Sequence, residues 1–139
     1  MISKLNAQGT PPTIVQIGNE VTNGMLWPTG QVYFSSGRED WSGFATLLKA
    51  GVQGVQDAAS PSGPATTMLH IQRIDHLEST RYTLDHIFGQ GVHMDLIGIS
   101  YYPFWHGPLG TLQTSLNDMA DRYGKDLIVA ETSYPWTLN

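Results

Sequence analysis

Ile14-Val15-Gln16-Ile17-Gly18-Asn19-Glu20 decides how this chain is organised. It is a run rich in apolar, β-branched residues, the pattern of a strand covered on both faces, and it breaks off into a carboxamide and a carboxylate. Leu127-Ile128-Val129-Ala130-Glu131 repeats the pattern near the far end. Two further runs lie between them, Thr66-Thr67-Met68-Leu69-His70-Ile71 and Leu96-Ile97-Gly98-Ile99-Ser100. Strands are therefore expected at 13–19, 66–71, 96–100 and 127–131, each nearly all apolar and covered on both faces.

The segments between the strands carry the three-and-four spacing of helices. Residues 2–8 resemble the end of a helix, with Ile2 and Leu5 three apart and Gly9 as its stop. Phe44, Leu47, Leu48, Gly51, Val52 and Val55 make one apolar face of a helix over 41–58, with Asp40 as its N-cap. A helix over 79–88 points Tyr82, Ile87 and Phe88 inward and is closed by Gly89 and Gly91. The last helix, 111–123, presents Leu112, Leu116, Met119, Ala120 and Tyr123 and ends at Gly124. The Gly-rich stretch 21–39, which contains Trp27-Pro28, reads as a loop long enough to be functional.

Strands alternating with helices imply parallel strands and right-handed crossovers. The three units from Glu20 to Glu131 repeat at about 37 residues each, which favours a barrel over a doubly wound sheet. A doubly wound nucleotide fold would show a Gly-rich phosphate turn, and neither GxGxxG nor a Walker pattern occurs. The expected fold class is α/β, a partial (β/α)8 TIM barrel with four parallel strands and intervening helices.

Composition narrows the function classes. At 139 residues the chain can build one core. The 40% hydrophobic content is ordinary, the 14% charged fraction is low, and 15 Gly with 8 Pro imply many turns. With net charge −5 and only 7 Lys and Arg there is no basic face for nucleic acid. Without cysteine there are no disulfides and no thiolate metal sites. No apolar run approaches the roughly 20 residues that span a bilayer, so no membrane partner is expected. Met1-Ile2-Ser3-Lys4-Leu5-Asn6 has no apolar signal core. Four Trp and six Tyr are many for this length, and flat aromatic faces suit the apolar faces of sugars.

Glu20 and Glu131 each close an apolar strand at one end of the barrel, three units apart, so they face each other across its mouth. Glycoside hydrolysis needs such a pair, one acid to protonate the leaving oxygen and one carboxylate to attack or to activate water. A single strand-end glutamate is more often a solvated loop acid; two in matching positions favour chemistry. Ser100 and Tyr102 share a face, since strand side chains repeat every second residue. The Tyr102 hydroxyl either holds a neighbouring carboxylate or packs under a loop. Trp27, Trp105 and Trp136 lie just beyond strand ends, as sugar platforms or as plugs of the rim. His70 ends a strand and His106 follows Trp105, so both are candidates to line the cleft, whereas His76, His86 and His93 read as surface or helix residues. The five histidines form no metal signature, and Ser100 and Ser133 lack the GxSxG elbow of acyl transfer. No metal and no cofactor is expected.

Ile17-Gly18-Asn19-Glu20, Gly24-Met25-Leu26-Trp27-Pro28-Thr29-Gly30, Gly98-Ile99-Ser100-Tyr101-Tyr102-Pro103-Phe104 and Val129-Ala130-Glu131-Thr132-Ser133-Tyr134-Pro135-Trp136 together resemble glycoside hydrolase family 53. Those enzymes are arabinogalactan endo-β-1,4-galactanases of the large retaining barrel clan. The Asn-Glu pair marks only the clan; the Leu-Trp-Pro loop together with the Ser-x-Tyr-Pro strand end is more specific. The resemblance implies that Glu20 is the acid/base at the end of the family's fourth strand and Glu131 the nucleophile on its seventh. It makes Asn19 the residue that bonds the sugar 2-hydroxyl and Tyr102 the tyrosine beside the nucleophile. His70 corresponds to a strand-five histidine. The family usually carries Asp two residues later, where this chain has Gln72.

The resemblance also implies that residues 1–139 are a partial catalytic domain, with the barrel's first three strands and its eighth having no counterpart. Four strands leave two open edges, so self-association through them is expected. The implied activity is a retaining, endo-acting glycosidase on β-1,4-galactan in the arabinogalactan side chains of pectin, acting outside the cell on a polysaccharide. The alternative is a galactan-binding or interaction fragment without turnover, because the barrel is incomplete.

Overall fold

The computed structural model describes residues 1–72 and 74–135. In chain order the elements are α1 (Ile2–Ala7), β1 (Ile14–Gln16), a 3-10 turn (Val21–Asn23), β2 (Gly24–Met25), β3 (Gly30–Gln31), α2 (Ser42–Asp57), β4 (Thr66–Ile71), α3 (Leu77–Gly89), β5 (Leu96–Tyr101), α4 (Pro103–His106), α5 (Leu109–Tyr123) and β6 (Asp126–Thr132). β1, β4, β5 and β6 form one four-stranded sheet in that order, and each neighbouring pair is parallel. That is half the strand complement of a (β/α)8 barrel, with α2, α3 and α5 as the crossovers.

The core lies between the outer face of this sheet and the helices. Leu69, Ile71, Ile97, Ile99 and Tyr101 from the central strands meet Phe44 and Leu48 of α2, Leu84 and Ile87 of α3, and Leu112 and Met119 of α5, all buried. α2 approaches closely because Gly51 has no side chain: a Cβ there would sit 2.7 Å from Ile17 Cγ2. Arg81 pairs with Asp118 and Arg122 with Asp85, tying α3 to α5. At the N-terminal end of the sheet, Asp95 Oδ2 accepts from Thr67 N and Thr67 Oγ1, both at 2.7 Å, which pins β4 against β5.

Several expectations change. β4 and β5 are covered on both faces, but β1 and β6 are not: Ile14 is 42% and Val129 39% exposed, because among the described residues no strand lies beyond either of them. The stretch 21–39 is not simply a loop; β2 and β3 pair antiparallel within it. Asp40 is not the N-cap of α2. Trp41 holds that position, and the Asp40 carboxylate takes the Ser42 N–H at 3.1 Å and its hydroxyl at 2.6 Å. Tyr82 points outward, with its hydroxyl donating to Glu39 at 2.7 Å. Beyond Tyr102 the chain forms a further short helix: Pro103 opens α4, where its missing N–H costs nothing.

Candidate active site

Strand register brings the polar strand ends together. In a parallel sheet, residues paired in register put their side chains on the same face. Gln16 pairs with Met68 and His70 with Gly98, so Gln16, Met68, His70, Gly98, Ser100 and Tyr102 share the inner face. Met68 fills the space beside Gly98, where a Cβ would lie 2.8 Å from its sulfur. Glu131 reaches that face by an irregularity. Ile99 pairs with Val129, but Ser100 pairs with Glu131, leaving Ala130 as an extra residue in a bulge. Without the bulge, strict alternation would put Glu131 on the helix side with Leu127 and Val129.

Glu20 is positioned differently. β1 ends at Gln16, and Glu20 itself sits in the left-handed region at φ 47° and ψ 48°. A non-glycine residue held there costs about 1–2 kcal/mol, and such strain concentrates at functional sites.

The side chains form two connected groups. Ser100 Oγ lies 2.6 Å from Glu20 Oε1 and 3.0 Å from His70 Nε2. His70 Nδ1 lies 3.1 Å from Asn19 Oδ1, which also accepts from Gln16 Nε2 at 3.0 Å. Asn19 spends its oxygen on these contacts, which leaves its amide Nδ2 without a partner among the described residues. Two residues beyond Ser100, the Tyr102 hydroxyl donates to Glu131 Oε1. The end of β5 and the residue after it thus present one contact to each glutamate on one face.

Electrostatics follow this arrangement. His70 is 1% exposed, and burial lowers its pKa, with the charges of Glu131 and then Glu20 opposing that shift. The Tyr102 phenol is pushed up to about 12, chiefly by its hydrogen bond to Glu131, with burial and the charges of Glu131 and Glu20 adding. Both carboxylates therefore act on both groups.

A cavity of about 390 Å³ opens over this face, lined by Glu20, Gln72, Asp75, Tyr102, Trp105 and His106. His106 Nδ1 accepts the Tyr102 N–H at 3.0 Å, which folds α4 over the cavity. Trp105 is 71% exposed and stands edge-on to Tyr102 with ring centroids 5.3 Å apart. Trp27 is also exposed, but it lies in the turn between β2 and β3 and is not among the lining residues. Trp136 lies outside the described residues. Among the described residues no three His, Asp or Glu side chains converge as a metal site.

Sequence reasoning passed over two lining residues. Gln72 stood only as a departure from the family pattern, although its spacing of two from His70 puts it on the inner face; its buried Oε1 has no hydrogen-bond partner among the described residues. Asp75 sits in the segment after β4, 3.0 Å from His76 Nε2, and nothing in its sequence surroundings marks it.

A family model, glycosyl hydrolase family 53, matches residues 1–139. This chain belongs to that family. An uncharacterized protein of Niallia circulans is 45% identical over 132 residues, covering 91% of this chain and 34% of that protein. An arabinogalactan endo-beta-1,4-galactanase of Thermothelomyces thermophilus is 33% identical over 139 residues, covering 96% of this chain and 40% of that enzyme. Solved structures agree. One, from a study of two fungal beta-1,4-galactanases, superposes with a TM-score of 0.85 at 33% identity over 96% of this chain and 40% of its own. The GH53 catalytic domain of Ignisphaera aggregans gives 0.85 at 33% identity over 99% and 36%. Both are barrels of which this family 53 chain matches a part. The chain spans 34–40% of the length of these relatives. Among its described residues no helix is long and apolar enough to cross a membrane.

Proposed function

We infer that this family 53 chain carries the reacting pair of a retaining endo-β-1,4-galactanase, with residues 1–139 forming part of the catalytic domain. One observation carries the reading: the end of β5 and the residue that follows it hold both glutamates from a single face, Glu20 through Ser100 and Glu131 through Tyr102. In this mechanism Glu131 attacks the anomeric carbon while Glu20 protonates the departing glycosidic oxygen. Glu20 then takes a proton from water, whose oxygen displaces Glu131 and releases the sugar. Tyr102 holds Glu131 in its attacking orientation. The unclaimed amide of Asn19 is available to a sugar hydroxyl, and Trp105 offers a face for the ring to stack on. A polymeric substrate is met outside the cell, so secretion accompanies this reading.

In the full-length protein, Glu20→Gln and Glu131→Gln are each expected to lower release of reducing ends from β-1,4-galactan by at least about a thousandfold. Proton NMR of the first-formed product should show retained β configuration. Wild-type-like release by either variant, or an inverted product, rejects the assignment. The uncovered β6, which carries Glu131, favours a second reading for the 139-residue chain alone: it binds galactan without turning it over. Retardation in a galactan-containing native gel without release of reducing sugar would support that reading.

A further inference from the structure

We propose that His70 and Ser100 are positioning residues that keep the proton on Glu20, through a hydrogen-bond chain whose direction is set at the backbone carbonyl of Gly18. The proposal rests on the reading of Glu20 as the acid/base. The direction follows link by link. A backbone carbonyl only accepts, so the Gln16 side-chain atom 2.9 Å from Gly18 O is its NH2. The same NH2 faces Asn19 at 3.0 Å, so the Asn19 atom there is the carbonyl oxygen. That oxygen also only accepts, so His70 Nδ1, 3.1 Å away, carries a hydrogen. In a neutral imidazole the other nitrogen is then bare, and Nε2 accepts the hydroxyl hydrogen of Ser100 across 3.0 Å.

Ser100 has one hydrogen. With it committed to His70, its oxygen can only accept across the 2.6 Å to Glu20, and what it accepts is the hydrogen of a protonated Glu20. Every link is then satisfied. When Glu20 gives up its proton to the leaving group, Ser100 turns its hydrogen to the new carboxylate, and its lone pairs face the bare Nε2. Only a second proton on His70 would mend that contact, and burial of the ring opposes the charge. The ionised form therefore costs a buried hydrogen bond, and the mismatch is relieved when Glu20 takes a proton from water in the second step. Bonds and protons balance: one proton leaves Glu20 with the first sugar product and one returns from water. The other groups facing Glu20 or its cavity are Tyr102 just after β5, His106 of α4, Gln72 and Asp75 after β4, and Glu131 of β6. None of them reverses the direction set at Gly18.

The experiment uses the full-length protein. ¹⁵N-histidine NMR of the wild type should show His70 as the neutral tautomer with Nδ1 protonated and Nε2 bare near neutral pH; an imidazolium or an Nε2–H tautomer overturns the proposal. His70→Gln replaces the bare acceptor with an amide free to donate to Ser100, so Ser100 can serve ionised Glu20 without a mismatch. The basic limb of the kcat/KM profile on β-1,4-galactan should then move about one pH unit to lower pH, with the acid limb in place. The shift should vanish in a Ser100→Ala background. A rate lowered equally at all pH values, or a basic limb that stays put or rises, overturns the proposal. If His70→Gln does not fold, the wild-type tautomer alone decides. If the wild type does not cleave β-1,4-galactan, the galactanase reading fails while the tautomer measurement still judges the chain.

Discussion

Tyr102 shows how much one hydroxyl can carry. Its hydrogen bond to Glu131 holds the phenol at about 12 against an ordinary 10.0, so it remains a donor throughout the range in which a glycosidase works. The sign for stability follows from the same shift. The bond contributes fully below pH 10, where the unfolded tyrosine is still protonated, and is lost as pH rises from 10 toward 12. Tyr102→Phe removes the donor and leaves the ring in place beside Trp105. If Glu131 is the attacking group of the proposed galactanase, the full-length protein's initial rates on β-1,4-galactan should fall on the order of tenfold to a hundredfold, with kcat more affected than KM. A loss expressed only as a raised KM, with kcat unchanged, would mean that Tyr102 touches substrate and does not support Glu131. The residue scale also shows where sequence reading stops. Asn19, Glu20 and Glu131 were legible because each ends an apolar run. Asp75 was not, because an acid in an irregular segment looks the same whether it faces a cavity or water.

At the scale of elements, the four main strands and three crossover helices were legible because long apolar runs leave a clear period. β2 and β3, at two residues each, are too short to leave one. α4 was hidden because Tyr102-Pro103 reads as a stop, although proline is well suited to a first helical turn. The less expected lesson concerns β6. A period of two places Glu131 with Leu127 and Val129 on the helix side, yet it lies on the inner face, because the bulge at Ala130 resets the alternation. Two changes in the full-length protein separate a bulge that aims Glu131 from a chance irregularity. Deleting Ala130 puts Glu131 directly after Val129, so regular alternation keeps it inward, and galactanase activity should stay within about a hundredfold of wild type. Inserting an alanine between Ala130 and Glu131 gives the same inward parity but carries Glu131 from the level of Ser100 to that of Tyr102, about 6.6 Å along the strand, and should cost on the order of a thousandfold or more. Equal losses in the two variants would show that the bulge does not aim the side chain.

For the molecule as a whole, the uncovered edges decide the behaviour of the 139-residue chain on its own. Among the described residues nothing pairs with the outer backbone groups of β6, and Val129 and Leu127 flank a cavity of about 260 Å³ against Leu116 and Ala120 of α5. β1 at the other edge is exposed at Ile14. Both edges belong to one parallel sheet, so β6 of one copy can meet β1 of another in the same orientation, and two copies supply the eight strands of a closed barrel. Open apolar edges of this kind drive association unless a charge or a proline blunts them. Produced alone, the chain should therefore elute as a dimer or larger species at tens of micromolar in size-exclusion chromatography with light scattering. Val129→Lys puts a cation on the apolar rim of β6 while leaving the inner face untouched, and it should shift the population toward monomer. A wild-type chain that is monomeric and melts cooperatively at the same concentration would mean that four strands and their helices bury enough apolar surface to stand alone. The open edges would then be a tolerated feature of the half-barrel.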